Sequence, residues 1–256
     1  MPLALVTGAT GGIGLVISGL LAERKHDLVL VARRAAELER IAESLRTTHG
    51  ITVHTIASDL GTVGAAESLA DALAARGLAV DVLVNNAGIG QYGRYVETDA
   101  AQEAQMVQLN VVALTTLTKR LLPGMVQRRR GRVLNVASTA AFFPGPLMAV
   151  YYATKAYVLS LSEALSEETA GTGVTVTALC PGPTATGFQA ESGMQTSRLL
   201  KLSSMLPVEE VARQGVLGML AGRRVVVPGV MNKGMVAMRR LVPTALQLKL
   251  VKIAQG

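Results

Sequence analysis

The chain has 256 residues, half of them apolar but only 3% aromatic, with one cysteine and a formal charge of +7. That length suits a single large α/β domain, since no polar or Pro/Gly-rich linker divides it, and a core of Ala, Val and Leu is what close packing of helices on a parallel sheet requires. The lone Cys180 excludes an internal disulfide and a cysteine-based zinc cluster and fits a reducing, cytoplasmic setting, while the lack of an unbroken apolar run of ~18 residues argues against a membrane span.

The opening, MPLALVTGAT, runs straight into a strand and a turn, without the basic and apolar segments of a signal peptide. LALVTG predicts the first strand and opens a helix from Ile13 to Arg24. DLVLVARR predicts a second, followed by a helix from Ala35 to Thr48. VHTIASD comes next with a helix ending at Arg76, then VDVLVNNAG with a long helix to Gln127, RVLNVAS with a helix from Ala149 to Glu168, and VTVTALCPG. Pro207 begins another helix, and RVVVPG supplies a short last strand. Such alternation implies an α/β fold, a Rossmann-type doubly wound parallel sheet of about seven strands with helices on both faces and right-handed crossovers. Ligands of such sheets bind beyond the strands' carboxyl ends, where the strand order reverses.

The turn TGATGGIG carries glycines 8, 12 and 14 as G-x-x-x-G-x-G, not as G-x-G-x-x-G. Strand before and helix after make it a phosphate cradle: glycine lets a pyrophosphate approach the backbone, and the helix starting near Ile13 presents free N–H groups and a positive dipole end. In STAAFFPGPLMAVYYATK, Tyr151 and Lys155 stand four residues apart, so one helix face holds a phenol beside an ammonium. A phenol near pH ~10 is a poor acid unless a neighbouring cation stabilises its phenolate. Ser138, at the end of an apolar strand, adds a hydroxyl, and the three suit proton transfer to a carbonyl oxygen.

These residues resemble the short-chain dehydrogenase/reductase family over nearly the whole chain. TGATGGIG resembles its TGxxxGxG turn, Asn85-Asn86-Ala87-Gly88 its NNAG, Ser138 with Tyr151 and Lys155 its Ser and YxxxK, and CPGPTAT its PG motif after the sixth strand. Asn110, in QLNV, falls where the family places a fourth catalytic residue. The resemblance implies reversible hydride transfer between a nicotinamide and a carbonyl or secondary alcohol carbon. Tyr151 would be the general acid/base, Ser138 would orient the carbonyl, Lys155 would hold the nicotinamide ribose and lower the tyrosine's pKa, and Asn110 would anchor a water that leads protons away. It also implies cofactor contacts at Gly8, Thr10, Gly12, Ile13, Gly14, Arg33, Arg34, Asp59, Leu60, Asn86, Ala87, Gly88, Tyr151, Lys155, Pro181, Gly182, Thr184 and Thr186, and a homodimer or homotetramer built on the helices holding Asn110 and Tyr151.

The second strand ends Ala32-Arg33-Arg34, where an NAD enzyme would present a carboxylate; two guanidiniums able to grip a 2′-phosphate favour NADP(H). Asp59 and Leu60 resemble the pair flanking the adenine, although Asp59 equally reads as a helix N-cap. The variable loop Phe188 to Leu206 offers Met194, Leu199, Leu200, Met205 and Leu206 to a pocket, with Phe142, Phe143, Tyr92 and Tyr95 as additions; the same residues read equally as core or interface. An apolar or acyl-like carbonyl compound is the expected substrate. The expected function is an NADP(H)-dependent carbonyl reductase or alcohol dehydrogenase, with a 3-oxoacyl thioester reductase as a near variant. The alternative is a non-catalytic dinucleotide-binding sensor on the same fold. No acidic residue follows Glu210 while eight basic ones do, so residues 1–210 are near neutral and the excess charge lies in the tail. The near-neutral main part and scarce aromatics argue against a nucleic-acid binder. Residues 1–229 are read as the catalytic and cofactor-binding domain and 230–256 as a basic amphipathic extension. It would lie on a membrane surface, pack over the substrate pocket or cover a neighbouring subunit.

Overall fold

A computed structural model of the chain describes residues 1–194 and 205–255. Seven parallel strands form one sheet: β1 (Leu3–Thr7), β2 (Asp27–Ala32), β3 (Val53–Ala57), β4 (Val82–Asn85), β5 (Gly131–Val136), β6 (Val174–Leu179) and β7 (Val225–Val226), in the order β3-β2-β1-β4-β5-β6-β7. The strands read as unbroken aliphatic runs because helices cover both faces. Alternation along each strand divides their side chains. Val6, Leu28, Leu30 and Val84 face α1 (Gly12–Glu23), α2 (Ala35–His49) and α8 (Val208–Leu220), where they meet Ile17, Leu21, Leu38 and Val216. Leu5, Val29, Val31 and Leu83 point to the other side, against Leu69 and Leu73 of α3 (Ala65–Ala75) and Leu117 and Met125 of α5 (Leu114–Gln127). The Tyr151 helix, α6 (Ala149–Glu168), lies on this second side with Val158 and Leu159 buried.

Parallel register brings the strand ends into one row: Thr7 pairs with Val31, Val6 with Val84, Asn85 with Asn135 and Val136 with Leu179. Sequence order reverses between β1 and β4, so crossovers diverge there and leave a crevice above the carboxyl ends. A buried polar ladder aligns the elements beneath it. The Asn85 amide donates to Thr118 Oγ1 (3.0 Å) and Asn135 Oδ1 (2.9 Å), and Asn135 donates to Ser162 Oγ on α6 (2.9 Å). Burial makes each bond costly to leave unmade, which holds β4, β5 and α6 in one register.

The long helix expected to end at Gln127 does end there, but it has three parts: α4 (Ala100–Val107), capped by Asp99 accepting from Gln102 N, a π-helical segment (Gln108–Ala113) and α5. Asn110 sits in the π segment. A single widened turn of this kind typically marks a functional position, and hydrophobic periodicity does not reveal it. After β6 come a short turn of helix, α7 (Phe188–Glu191), then α8. The basic tail folds as α9 (Val230–Met238), a 3₁₀ turn (Arg239–Leu241) and α10 (Thr244–Gln255). Among the described residues no helix is long and apolar enough to cross a membrane.

Candidate active site

The first strand delivers the Gly-rich turn to the crevice. Gly8 and Gly12 adopt φ of +65° and +52°, left-handed backbone that L side chains rarely take. At Gly8 a Cβ would also lie 2.8 Å from Asn86 Nδ2 and 3.0 Å from Ala87 Cα, so the NNAG segment can close over the turn only because nothing protrudes. Thr7 Oγ1 accepts from the backbone N–H groups of both Asn86 and Ala87, and the Asn86 amide donates to Thr7 O and Gly8 O. The β1 and β4 ends are thereby fastened together. Behind them the N-terminus of α1, with Gly11 as a cap that offers no side chain, turns its unsatisfied N–H groups to the crevice.

The crevice wall is built from the ends of the first six strands in turn. Gly8, Thr10, Gly12 and Ile13 follow β1, Arg33 and Arg34 follow β2, and Asp59 and Leu60 follow β3. Asn86, Ala87 and Gly88 follow β4, Ser138 follows β5, and Pro181, Gly182, Thr184 and Thr186 follow β6. Tyr151 and Lys155 line it from α6. Gly14 and Asn110 do not. Gly14 is a packing position: a Cβ there would stand 2.4 Å from both Gly8 O and Asn86 Nδ2, so its bare Cα sets how closely α1 approaches the turn. Asn110, only 2% exposed, lies behind the wall. Its Oδ1 accepts from Ile89 N (3.0 Å), and its Nδ2 donates to Ile89 O (2.9 Å) and Thr154 Oγ1 (3.1 Å), while Thr154 in turn donates to Tyr151 O (2.7 Å). Asn110 therefore ties the loop after β4 to the backbone of Tyr151.

Of the two arginines, Arg34 opens α2 and pairs with Glu37 one turn on. Arg33 forms no ion pair or hydrogen bond among the described residues. Asp59 does not cap α3, which begins six residues later behind Gly64; its Oδ1 accepts from Gly61 N (3.0 Å) and shapes the loop after β3.

Ser138 stands two residues beyond β5 as the N-cap of a 3₁₀ turn (Thr139–Phe142). Its hydroxyl accepts from Ala140 N (3.1 Å) and donates to Pro181 O (3.4 Å), and it lines the crevice together with Tyr151. Lys155 is 6% exposed; its Nζ donates to Val136 O (2.9 Å) and lies 5.7 Å from the centre of the Tyr151 ring. Burial pulls the Lys155 ammonium down to about 8. Burial also pushes the Tyr151 phenol well above the ordinary phenol range, against the opposing pull of the Ser138 hydroxyl. Desolvation of the phenolate is the largest influence on Tyr151, while the Lys155 ammonium is held by a strand carbonyl.

The far end of the crevice is apolar. Ala140, Met148, Tyr152 and Met194 form a buried cluster against which Tyr92, Phe143, Phe188 and Val251 pack, and the Phe188 ring centre lies 5.3 Å from that of Tyr151. Tyr95, at 69% exposed, and Met205 stay outside it. Phe142 instead packs beneath Arg239, whose guanidinium lies 5.6 Å from its ring centre. Leu206 joins the α1/α8 core, and Leu199 and Leu200 lie outside the described residues. Sequence reading missed Gln255. This fully buried residue of α10 lines the crevice, its Nε2 donates to Tyr152 Oη (2.9 Å), and its carbonyl accepts from the Tyr92 hydroxyl (2.7 Å). No motif surrounds it, so no local signal could have found it. The inner face of the tail thus meets the crevice wall at Gln255 and the apolar cluster at Val251.

Comparison with known proteins agrees with this geometry. Residues 2–197 match the family described as short chain dehydrogenase. The uncharacterized oxidoreductase YvaG of Bacillus subtilis is 36% identical over 212 residues, covering 82% of this chain and 75% of that protein. The very-long-chain 3-oxoacyl-CoA reductase-B of Danio rerio is 32% identical over 182 residues, which take in 70% of this chain and 58% of the relative's length. Among solved structures, a short-chain dehydrogenase from Sphingobium yanoikuyae in complex with NADPH superposes with a TM-score of 0.83 at 30% identity, covering 96% of this chain and 98% of that one.

Proposed function

Because the chain belongs to the short-chain dehydrogenase/reductase family of oxidoreductases, whose members bind a nicotinamide cofactor, we propose that it reduces the carbonyl group of an apolar, acyl-like substrate with NADPH. The observation that carries this reading is the convergence of Ser138, Tyr151 and Lys155 on one stretch of wall facing a buried apolar cluster.

The residues present fit a dinucleotide. Gly8 and Gly12 leave a cradle that side chains would fill, α1 presents its N-terminus, and a Cβ at Gly88 would meet Asn110 Oδ1 at 3.1 Å and Lys155 Nζ at 3.4 Å. Arg33, free of protein partners among the described residues and set at the end of β2, is the proposed grip on a 2′-phosphate; Arg34 is shared with Glu37. When bound, the nicotinamide supplies the hydride. The protein's part is to hold the carbonyl and protonate it. Ser138 donates a hydrogen bond to the substrate oxygen, and Tyr151, in the same wall as Ser138, delivers its proton to that oxygen as charge develops there. Lys155 anchors the nicotinamide ribose, and Asn110 positions Tyr151 through Thr154.

The names of the 3-oxoacyl-CoA reductase relatives and the Met- and Phe-lined far end both support an acyl-like substrate. Within this reading residues 1–229 hold the chemistry and 230–256 contribute Gln255 to the pocket wall. Self-association would use α4, α5 and α6 with the π segment, where Val107, Val112 and Tyr157 remain exposed. A dinucleotide sensor would have no use for a buried ammonium beside a half-buried phenol. The test is a panel of carbonyl compounds of rising chain length, with loss of the reduced-nicotinamide absorbance as readout. Turnover that grows with apolar chain length is expected; equal rates with NADH and NADPH, or no turnover of any carbonyl, would contradict it.

A further inference from the structure

Helices α9 and α10 are turned inside out for a helix pair on a water-facing surface. Such a helix ordinarily buries its apolar stripe and exposes its polar one. On α10 the side facing the protein carries Gln247, Val251 and Gln255, with Gln247 Nε2 donating to Arg239 O (2.9 Å) and Val242 O (2.7 Å). The outward stripe is Leu246, Leu250 and Ile253, spaced i, i+4, i+7, with Ile253 65% exposed. α9 repeats the pattern, with Met231, Met235 and Met238 at the same spacing and Met231 74% exposed. Two successive helices thus each present an exposed apolar stripe, the kind of feature that marks an interaction surface.

Charge decides what covers it. Lys249 and Lys252 are exposed beside the α10 stripe and Lys233 on α9, and residues 211–256 contain no Asp or Glu. A symmetric contact between two copies through this face would set the same lysines against each other with no carboxylate from the tail to offset them. A bilayer bearing anionic headgroups matches both features at once: the acyl boundary takes the Leu, Ile and Met side chains, and the headgroups take the ammoniums. Methionine's flexible thioether suits such an uneven surface.

We propose that the outer face of α9 and α10 docks on an anionic lipid bilayer, leaving α10 between the lipid and the crevice wall that Gln255 helps to form. The surface stands whatever carbonyl the site accepts. The chain has no tryptophan, so Leu250→Trp introduces a single reporter. With the full chain, its emission should shift to the blue on adding phosphatidylcholine vesicles containing phosphatidylglycerol, and not with phosphatidylcholine alone. In co-sedimentation, Lys249→Gln with Lys252→Gln should weaken partition about 30-fold, from roughly a fivefold loss for each basic residue at a charged surface. Leu250→Ser with Ile253→Ser should abolish it while the thermal midpoint is retained. The proposal fails if the tryptophan emission does not move with anionic vesicles. It also fails if the variants partition like the parent, or if Leu250→Ser with Ile253→Ser instead dissolves a larger assembly in the absence of lipid, which would make the face a contact between copies.

Discussion

Replacing Lys155 by methionine should stabilise the protein at neutral pH while disabling it. Burial lowers the folded-state pKa of this ammonium from the ordinary 10.5 to about 8, a fall of about 2.5 pH units, or ~3 kcal/mol at roughly 1.4 kcal/mol per unit. Between pH 8 and 10.5 the unfolded chain still holds a proton that the folded chain has lost, so stability rises with pH across that window and the full cost is felt below 8. Methionine has similar length and no charge, and it strips Val136 O of its donor, a loss of ~1 kcal/mol. The variant should therefore be more stable than the parent by ~2 kcal/mol at pH 7, with the advantage gone by pH ~10. Urea unfolding followed by circular dichroism at several pH values measures this, and the variant-minus-parent difference cancels other titrations. Tyr151, whose folded pKa burial raises, loses stability as pH climbs past its unfolded value, but it does so in both proteins; Cys180 interacts electrostatically with Lys155, so the comparison is made at pH values below those at which its thiol ionises. A variant less stable than the parent at pH 7, by an amount independent of pH, would refute the buried-ammonium account. The same substitution should weaken nicotinamide binding, since the anchoring cation is gone.

Tyr151→Phe should abolish turnover and leave cofactor affinity within about a factor of two, because it removes only the proton donor; normal reduction rates would end the proposed mechanism. Arg33→Asp should cost ~10-fold or more in NADPH affinity and raise preference for NADH, as expected for one charge-assisted bond replaced by repulsion; titration of reduced-nicotinamide fluorescence reads it, and unchanged NADPH affinity would remove Arg33 from the phosphate site. Gly14→Ala should destabilise by ~1–3 kcal/mol, because its Cβ would stand 2.4 Å from a backbone carbonyl and from the Asn86 amide. Thermal melting with and without NADPH would show the loss, and an unchanged midpoint would mean that α1 shifts freely.

The division between local and non-local information is visible in particular residues. Alternating aliphatic runs and amphipathic stretches determined the doubly wound sheet from sequence alone, because the periods of strand and helix are properties of the backbone and each run had to bury its own face. The same held for α6, whose bounds, Ala149–Glu168, followed from local pattern, so Tyr151 and Lys155 shared a face before any contact was known. Tertiary structure decided everything that depends on what another segment brings. Asn110 lies behind the wall because a π turn rotates it toward Ile89 and Thr154, and Gly14 proved a packing position once Asn86 came over it. Tyr151 has a raised pKa because desolvation is summed over every group that surrounds the ring and not over its own helix. Gln255 reaches Tyr152 across 103 positions of chain. Spacing encodes which residues share a face, but which face meets which, and how dry the junction is, exists only after the chain has closed on itself.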